Sequence, residues 1–105
     1  MFADTKAHSG FAVPDVEEAQ RFYEETLGIK TSVEYGLLTL HLAGGRDTLV
    51  YPKPDHTPAT YTILSFPVDD IDRAVDEQGI MRKGGPYIAW FTDPAGNALS
   101  VLQER

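Results

Sequence analysis

The sequence predicts an α+β fold made of two tandem modules, each consisting of a strand, a helix and three further strands. An internal repeat is the first observation: residues 8–19 align with residues 63–74 at an offset of 55 residues, so both halves begin with a strand followed directly by a helix. The second is a series of short β-rich runs, separated by glycine-containing turns, after the first helix. Since the chain has only 105 residues, both modules belong to one small domain, residues 1–105.

Aspartate residues mark the start of both predicted helices. Asp15 and Asp70 are equivalent in the repeat, and each can accept a hydrogen bond from the backbone of the first helical turn. Apolar residues at helical spacing predict the first helix over residues 16–27, and Gly28 suits the left-handed residue that ends such a helix. The second helix is predicted over residues 70–77.

Short runs rich in β-branched and aromatic residues predict the later strands. They lie at residues 29–35, 37–42, 48–51, 60–68, 87–92 and 98–103. The turn Asp93-Pro94-Ala95-Gly96-Asn97 predicts a hairpin between the last two strands, and we assign it no catalytic role. Module one therefore covers about residues 5–52, a proline-rich linker covers residues 52–59, and module two covers about residues 60–105.

The second module is shorter than the first in the interval between Glu77 and Tyr87. A copy of the first module would need the end of a helix, a turn and a strand of about 5–6 residues there. Two explanations remain open: the module has lost an edge strand, or the sequence lacks a mobile loop. We favour the missing loop, because a lost strand would expose an unpaired sheet edge.

Composition and charge exclude several classes of function. The chain has no cysteine, which rules out disulfides, thiolate metal sites and cysteine nucleophiles. A net charge of −7 would repel a phosphate backbone and attract cationic small molecules, so we expect no nucleic-acid partner. No apolar run approaches the ~20 residues that cross a bilayer, and the first residues lack an export-signal pattern. We therefore expect no membrane association and a cytoplasmic location.

The two ends of the chain resemble a known family. The segment AHSGFAVPDVEEAQRFYEETLGIK opens the first module, and the segment WFTDPAGNALSVLQE closes the second. With their Phe22-Tyr23, Leu27-Gly28 and DPAGN signatures, they resemble the vicinal oxygen chelate superfamily, the group of glyoxalase I, bleomycin-resistance proteins and extradiol dioxygenases. The resemblance implies a curved mixed sheet from each module, a ligand cleft enclosed by the two sheets, and a homodimer.

Metal-using members of this family take one ligand from the first strand and one from the last strand of each module. By motif, these positions fall on His8, Tyr51, Ile63 and Ser100. Only the histidine is a good ligand, because isoleucine offers no donor, serine offers a neutral hydroxyl, and a tyrosine phenol keeps its proton at neutral pH. His41 and His56 occupy none of these positions. The resemblance thus implies that three of the four metal ligands are replaced by poor ones, and we expect no metal cofactor.

All but one of the candidate ligand-binding residues lie on one inferred face of the two sheets, and the exception, Trp90 in the strand before the DPAGN turn, can stack on an aromatic or cationic ligand. The candidates are His8, Tyr51, Ile63, Ser65, Trp90 and Ser100. A mainly apolar pocket with a few polar groups is the usual form of a small-molecule site. We therefore predict a metal-free binding protein of the bleomycin-resistance type, which sequesters an organic compound that is cationic or aromatic.

Two alternative functions remain open. One is a glyoxalase- or dioxygenase-like metalloenzyme, a lyase or oxidoreductase, whose ion is held by His8 and by ligands that are unrecognised here or supplied by a dimer partner. The other is a metal-free isomerase or lyase in which His8, the candidate catalytic residue, acts as a base.

Overall fold

The computed structural model describes residues 1–78 and 87–103, and the chain divides into two compact units, residues 1–56 and residues 57–105. The α+β prediction is confirmed, because the first unit holds a mixed four-stranded sheet and the second a mixed three-stranded sheet, each with its own helix. Among the helices described, none is long and apolar enough to cross a membrane.

The first unit contains four strands and one helical segment. Its elements are a 3₁₀ turn (Phe2–Asp4), β1 (Ser9–Val13), α1 (Val16–Arg21), a π-helical turn (Phe22–Thr26), β2 (Lys30–Glu34), β3 (Leu37–Leu42) and β4 (Arg46–Pro52). The strand order is β1-β4-β3-β2, with β1 parallel to β4 and the other pairs antiparallel. β1 and β2 are therefore the edge strands of this sheet.

The first helix begins as predicted but ends differently. The Asp15 carboxylate accepts a hydrogen bond from the backbone N–H of Glu18 at 3.2 Å, which confirms the predicted cap. The helix predicted over residues 16–27 is α-helical only in its first half. In its second half the N–H of Leu27 donates to the carbonyl of Phe22, five residues back, at 3.1 Å.

Tyr23 is the centre of the first unit's core. Its side chain is fully buried, with ring centroids 5.9 Å from Phe11 and 5.1 Å from Phe22. The adjacent rings of Phe22 and Tyr23 meet edge to face within the π-helical turn. The spacing of apolar residues in the sequence does not indicate this packing. The other buried apolar side chains of this core are Val13, Ala19, Leu38, Leu40 and Val50.

The second unit repeats the plan with fewer described strands. Its elements are β5 (Thr62–Pro67), α2 (Ile71–Gln78), β6 (Ile88–Thr92) and β7 (Ala98–Leu102). β7 lies in the centre, parallel to β5 and antiparallel to β6. Ile71 at the start of α2 packs with Ala89 and Val101 of the sheet, and its N–H donates to the Gln103 side chain at 2.9 Å. The question of a missing strand or loop falls on residues 79–86, outside the described residues.

The predicted DPAGN hairpin is confirmed, and the side chains of Asp93 and Asn97 form hydrogen bonds within the turn and to the segment before β5. Asp93 and Asn97 are both buried, and the Asp93 carboxylate accepts a hydrogen bond from the Asn97 N–H at 2.8 Å. The Asn97 side-chain oxygen also accepts from the backbone N–H of Ala59 at 3.3 Å. The turn therefore fixes the segment that leads into β5.

Strand boundaries differ from the prediction by one residue at several ends and by two residues at the starts of β4 and β5. β4 begins at Arg46, which was predicted to lie in a loop, because antiparallel pairing with β3 extends to the Leu42–Arg46 partners. β5 starts at Thr62 rather than at residue 60, and its register shifts between Thr62 and Leu64, which leaves Ile63 as the extra residue of a bulge. A bulge depends on pairing between strands, and its position was therefore not predictable from the strand's own sequence.

Candidate functional site

Each sheet has one face packed on the helix of its unit and one face that this helix leaves uncovered, here called the open face. In β3, Leu38 and Leu40 are buried, whereas His41 points to the open face because side chains alternate along a strand. In β7, Val101 packs on α2, so the adjacent Ser100 belongs to the open face. The predicted site residues can be placed on this basis, unit by unit.

In the first unit the predicted site residues are His8 and Tyr51. His8 lies exposed just before β1, with Nδ1 3.4 Å from the carbonyl oxygen of Ser9. Tyr51 lies on the open face of β4 opposite Ala12 and is 40% exposed. Its ring passes close to Gly10, where a Cβ would lie 3.8 Å from Tyr51 Cε1. In this part of the described chain, no hydrogen bond joins His8 to Tyr51.

A hydrogen-bonded row that sequence reasoning missed crosses the same open face. Ser32 on β2, His41 on β3 and Asp47 on β4 lie in line. Nε2 of His41 is 2.8 Å from the Ser32 Oγ, and its Nδ1 is 3.1 Å from an Asp47 carboxylate oxygen. The signal in the sequence was weak, because the three residues come together only through the register of three strands. The arrangement places a hydroxyl, an imidazole and a carboxylate within proton-transfer distance.

A small open cavity lies beside this row. Its volume is about 350 Å³, and it is lined by Glu24, Gly28, Ile29, Lys30, Thr31 and His41. The Thr31 hydroxyl donates a hydrogen bond to the Glu24 carboxylate and accepts one from the Gln20 side chain at 3.2 Å. The cavity therefore offers one cationic side chain, one anionic side chain and the imidazole of His41.

In the second unit the predicted residues Ser65, Ser100 and Trp90 share one row across the open face. Ser65 and Trp90 are the strand partners of Ser100 on either side. The Ser100 hydroxyl donates to the Ser65 Oγ at 2.9 Å, and Ser100 is only 1% exposed. The Trp90 indole N–H donates to the Thr62 hydroxyl at 3.2 Å, so the ring spans from β6 to β5 across the central strand. Ser65 remains exposed.

Ile63, the remaining predicted residue, stands at the bulge of β5 and is half-buried. Because the bulge interrupts the alternation of side chains, Thr62 and Ser65 share the open face although they are three residues apart. The structure thus brings together Ser65, Ser100 and Trp90 in one row and gives Ile63 no strand partner in the register.

The residues present do not suit a resident metal ion. Of the four positions implied by the resemblance, Ile63 has no donor atom, and the hydroxyl of Ser100 is committed to Ser65. Tyr51 offers a phenol, and His8 is the only strong ligand. Within residues 1–78 and 87–103, no group of three or more His, Asp or Glu side chains lies close enough together to hold an ion.

Comparison with solved structures places the fold among known ones. The chain is similar to TnmS3, an antibiotic-binding protein from Streptomyces sp. CB03234, with 24% identity and a TM-score of 0.72 over 97% of this chain and 98% of that one. It is similar to a glyoxalase/dioxygenase from Nostoc punctiforme, with 19% identity and a TM-score of 0.72 over 97% and 92%. Virulence protein STM3117 from Salmonella typhimurium matches with 24% identity and a TM-score of 0.73 over 100% of both chains.

At these identities the likeness shows the fold alone. Among curated proteins, none matches this chain. A family model, however, matches residues 6–101, which is nearly the whole length and includes both sheets. The predicted family is confirmed by this match, and the chain belongs to the Glyoxalase/Bleomycin resistance protein/Dioxygenase superfamily.

Proposed function

We propose that this protein binds and sequesters a small organic molecule, cationic or aromatic, without a resident metal. One observation carries the proposal: at the four positions that the family resemblance implies for metal ligands, this chain has His8, Tyr51, Ile63 and Ser100. Three of these side chains are poor ligands, and the hydroxyl of Ser100 is already bonded to Ser65. Sequestration needs no metal, whereas the metal-dependent reactions of the family do.

Exposed aromatic side chains support this role. Tyr51 is 40% exposed on the open face of the first sheet, and Trp90 is 42% exposed on that of the second. Aromatic rings bind flat or cationic molecules through stacking and cation–π contacts. A net charge of −7 adds a general attraction for cations. The likeness in fold to TnmS3, an antibiotic-binding protein, also supports a small-molecule binding role.

The proposal includes the remaining predicted features of the site. We propose that the ligand-binding residues are His8, Tyr51, Ile63, Ser65, Trp90 and Ser100. The two serines act as one hydrogen-bonded pair, and Ser65 is its exposed member. We also propose that the protein acts in the cytoplasm and that it forms a homodimer, the latter because the family resemblance implies one. The second candidate is a metalloenzyme of glyoxalase or dioxygenase type, which the likeness in fold to the glyoxalase/dioxygenase from Nostoc punctiforme favours.

Calorimetric titration of the full chain tests the binding role. Bleomycin serves as a cationic glycopeptide probe, and ethidium serves as a cationic aromatic probe. We expect saturable binding of at least one of them, which Tyr51→Ala and Trp90→Ala weaken. Tyr35→Ala is the matched control, because Tyr35 is a 99% exposed tyrosine of the β2–β3 turn and is not among the proposed ligand residues. If neither probe saturates the protein, the sequestration proposal fails for these ligand classes.

Metal analysis separates the two candidate functions. The purified protein is incubated with zinc, nickel or iron(II), desalted and analysed for bound metal. We expect no stoichiometric retention. A stoichiometric ion that is lost in His8→Ala would overturn the metal-free proposal and favour the metalloenzyme.

A further inference from the structure

We propose that Ser32, His41 and Asp47 form a nucleophile, a base and a positioning carboxylate, which transfer the acyl group of a small ester to Ser32 and then to water. This acyl-transfer site lies on the first sheet alone and does not depend on the proposed binding function. It rests on the row of hydrogen bonds across β2, β3 and β4 and on the cavity beside it.

The hydrogen bonds determine how a neutral His41 ring carries its proton. A carboxylate can only accept, so Nδ1, 3.1 Å from Asp47, holds the proton and donates it. Nε2 then has a free lone pair directed at the Ser32 hydroxyl, 2.8 Å away. This is the tautomer in which an imidazole can take a proton from a hydroxyl, and Asp47 keeps it in place.

Strand pairing holds these three groups in position. His41 and Asp47 are direct partners in the antiparallel β3–β4 pair, and His41 is also the direct partner of Lys30 in β2. Ser32 stands two residues further along β2, on the same face as Lys30. A group anchored on three neighbouring strands loses little conformational freedom when it reacts, because the backbone already fixes its spacing.

The surroundings provide space for an ester and groups that can stabilise negative charge. The cavity of about 350 Å³ meets the row at His41, and Ser32 is exposed beside it on the open face rather than in its lining. The charged lining residues of the cavity are Glu24, whose carboxylate accepts from Thr31, and Lys30, whose ammonium group can attract a developing oxyanion. β2 is an edge strand that ends in the two-residue turn Tyr35-Gly36. In such a hairpin the N–H of Val33, which follows the nucleophile, points to the unpaired edge of the sheet and can donate to the same oxygen.

The reaction balances without a further reagent. The Ser32 Oγ attacks the ester carbonyl carbon while its proton moves to His41 Nε2. The tetrahedral adduct then collapses, the bond to the alcohol oxygen breaks, and His41 gives the proton to the departing alcohol. Water attacks the acyl-serine, passes a proton to His41, and releases the carboxylic acid as the proton returns to the Ser32 oxygen.

Acetylation by p-nitrophenyl acetate tests the proposal on the intact protein. Rapid quenching and peptide mass spectrometry locate the acetyl group, and p-nitrophenol release gives the rate. We expect one acetyl group on Ser32, abolished in Ser32→Ala and slowed at least about 100-fold in His41→Gln, the usual contribution of a general base. Ser9→Ala is the matched control, because Ser9 is also a strand serine but bonds to Thr48 rather than to a histidine.

The positioning role of Asp47 has its own readout. In Asp47→Asn we expect slower acetylation together with a changed nitrogen NMR signature of the His41 ring, because an amide no longer requires the proton on Nδ1. Circular dichroism shows whether each variant keeps its fold. Acetylation of the His41 ring or of other residues in place of Ser32 would overturn the proposal. So would equal labelling of Ser32 in the folded and the urea-unfolded protein, or the absence of labelling.

Discussion

The two sheets carry comparable rows of polar side chains across their open faces, but the rows differ in charge and exposure. In the first, Ser32, His41 and Asp47 bond in line and all three are exposed. In the second, Ser65 and Ser100 bond to each other and one hydroxyl is buried. The first row contains a proton acceptor and a charged group, whereas the second contains two neutral hydroxyls. The modules thus repeat their architecture and differ in chemistry.

The largest loss of stability is expected on the faces that pack against the helices, where the two sheets are most alike. Leu40→Ala in the first sheet and Leu99→Ala in the second each remove a fully buried side chain. We expect each to lower the free energy of unfolding by about 2–5 kcal/mol. Chemical denaturation measures the change.

Leu37→Ala is the control for this comparison. It lies in the same strand as Leu40 but on the open face, where it is 37% exposed. We expect a loss well below that of Leu40→Ala. Equal losses for the two variants would contradict the assignment of the covered and open faces.

A turn of each sheet contains a glycine with a positive φ, but the space around the two glycines differs. Gly96 in the second has a φ of +87°, and an added Cβ would lie 3.0 Å from Pro58 Cγ. Gly36 in the first has a φ of +77° but nothing within 4 Å of that position. We expect Gly36→Ala to cost about 1–2 kcal/mol from backbone strain alone. Gly96→Ala should cost more, because the proline must also move, and thermal unfolding of both variants tests that order.

The helix caps test whether equivalent positions of the repeat contribute equally. Asp15 accepts from the N–H of Glu18 at 3.2 Å, and Asp70 accepts from the N–H of Arg73 at 3.1 Å. We expect each Asp→Ala substitution to cost about 0.5–2 kcal/mol, and each Asp→Asn substitution to cost less, since asparagine also caps helices. Chemical denaturation measures both changes. If only one of the two Asp→Ala substitutions lowers the free energy of unfolding, the two caps do not contribute equally.

The smallest expected effect on stability is that of the exposed ion pair between Lys53 and Asp55, which follows β4. A hydrogen bond from the Lys53 ammonium group, 3.0 Å away, is the main reason that the pKa of Asp55 lies below its usual value. Because this pKa is lower in the folded chain, the pair stabilises the fold above the unfolded-state pKa, and its contribution disappears as the pH falls through the folded-state pKa. We expect Lys53→Met to raise the pKa of Asp55 in an NMR titration, whereas Lys30→Met leaves it unchanged.

Much of the fold was predictable because its signals are local. Asp15 and Asp70 cap helices through their own following turns, and the DPAGN turn contains the residue types that its geometry requires. The π-helical turn and the bulge at Ile63 were not predictable, because both depend on packing or pairing with distant segments. The early start of β4 at Arg46 has the same origin.

The candidate site was predictable only in part. Alternation along approximately known strands predicts Ser65 and Ser100 on one face, whereas their pairing with each other and with Trp90 depends on the strand register. The row of Ser32, His41 and Asp47 depends on which residue of one strand faces which residue of the next. The sequence alone does not indicate this role for His41, because its hydrogen-bond partners are nine and six residues away in sequence.

The position of Trp90 has a practical consequence. It is the only tryptophan in the chain, and its indole is bonded to Thr62 within the three-stranded sheet. Intrinsic fluorescence excited at the indole band therefore reports on one half of the molecule and is silent on the other. Paired with an amide-based signal, it can show whether the halves melt together or one after the other, with no added label.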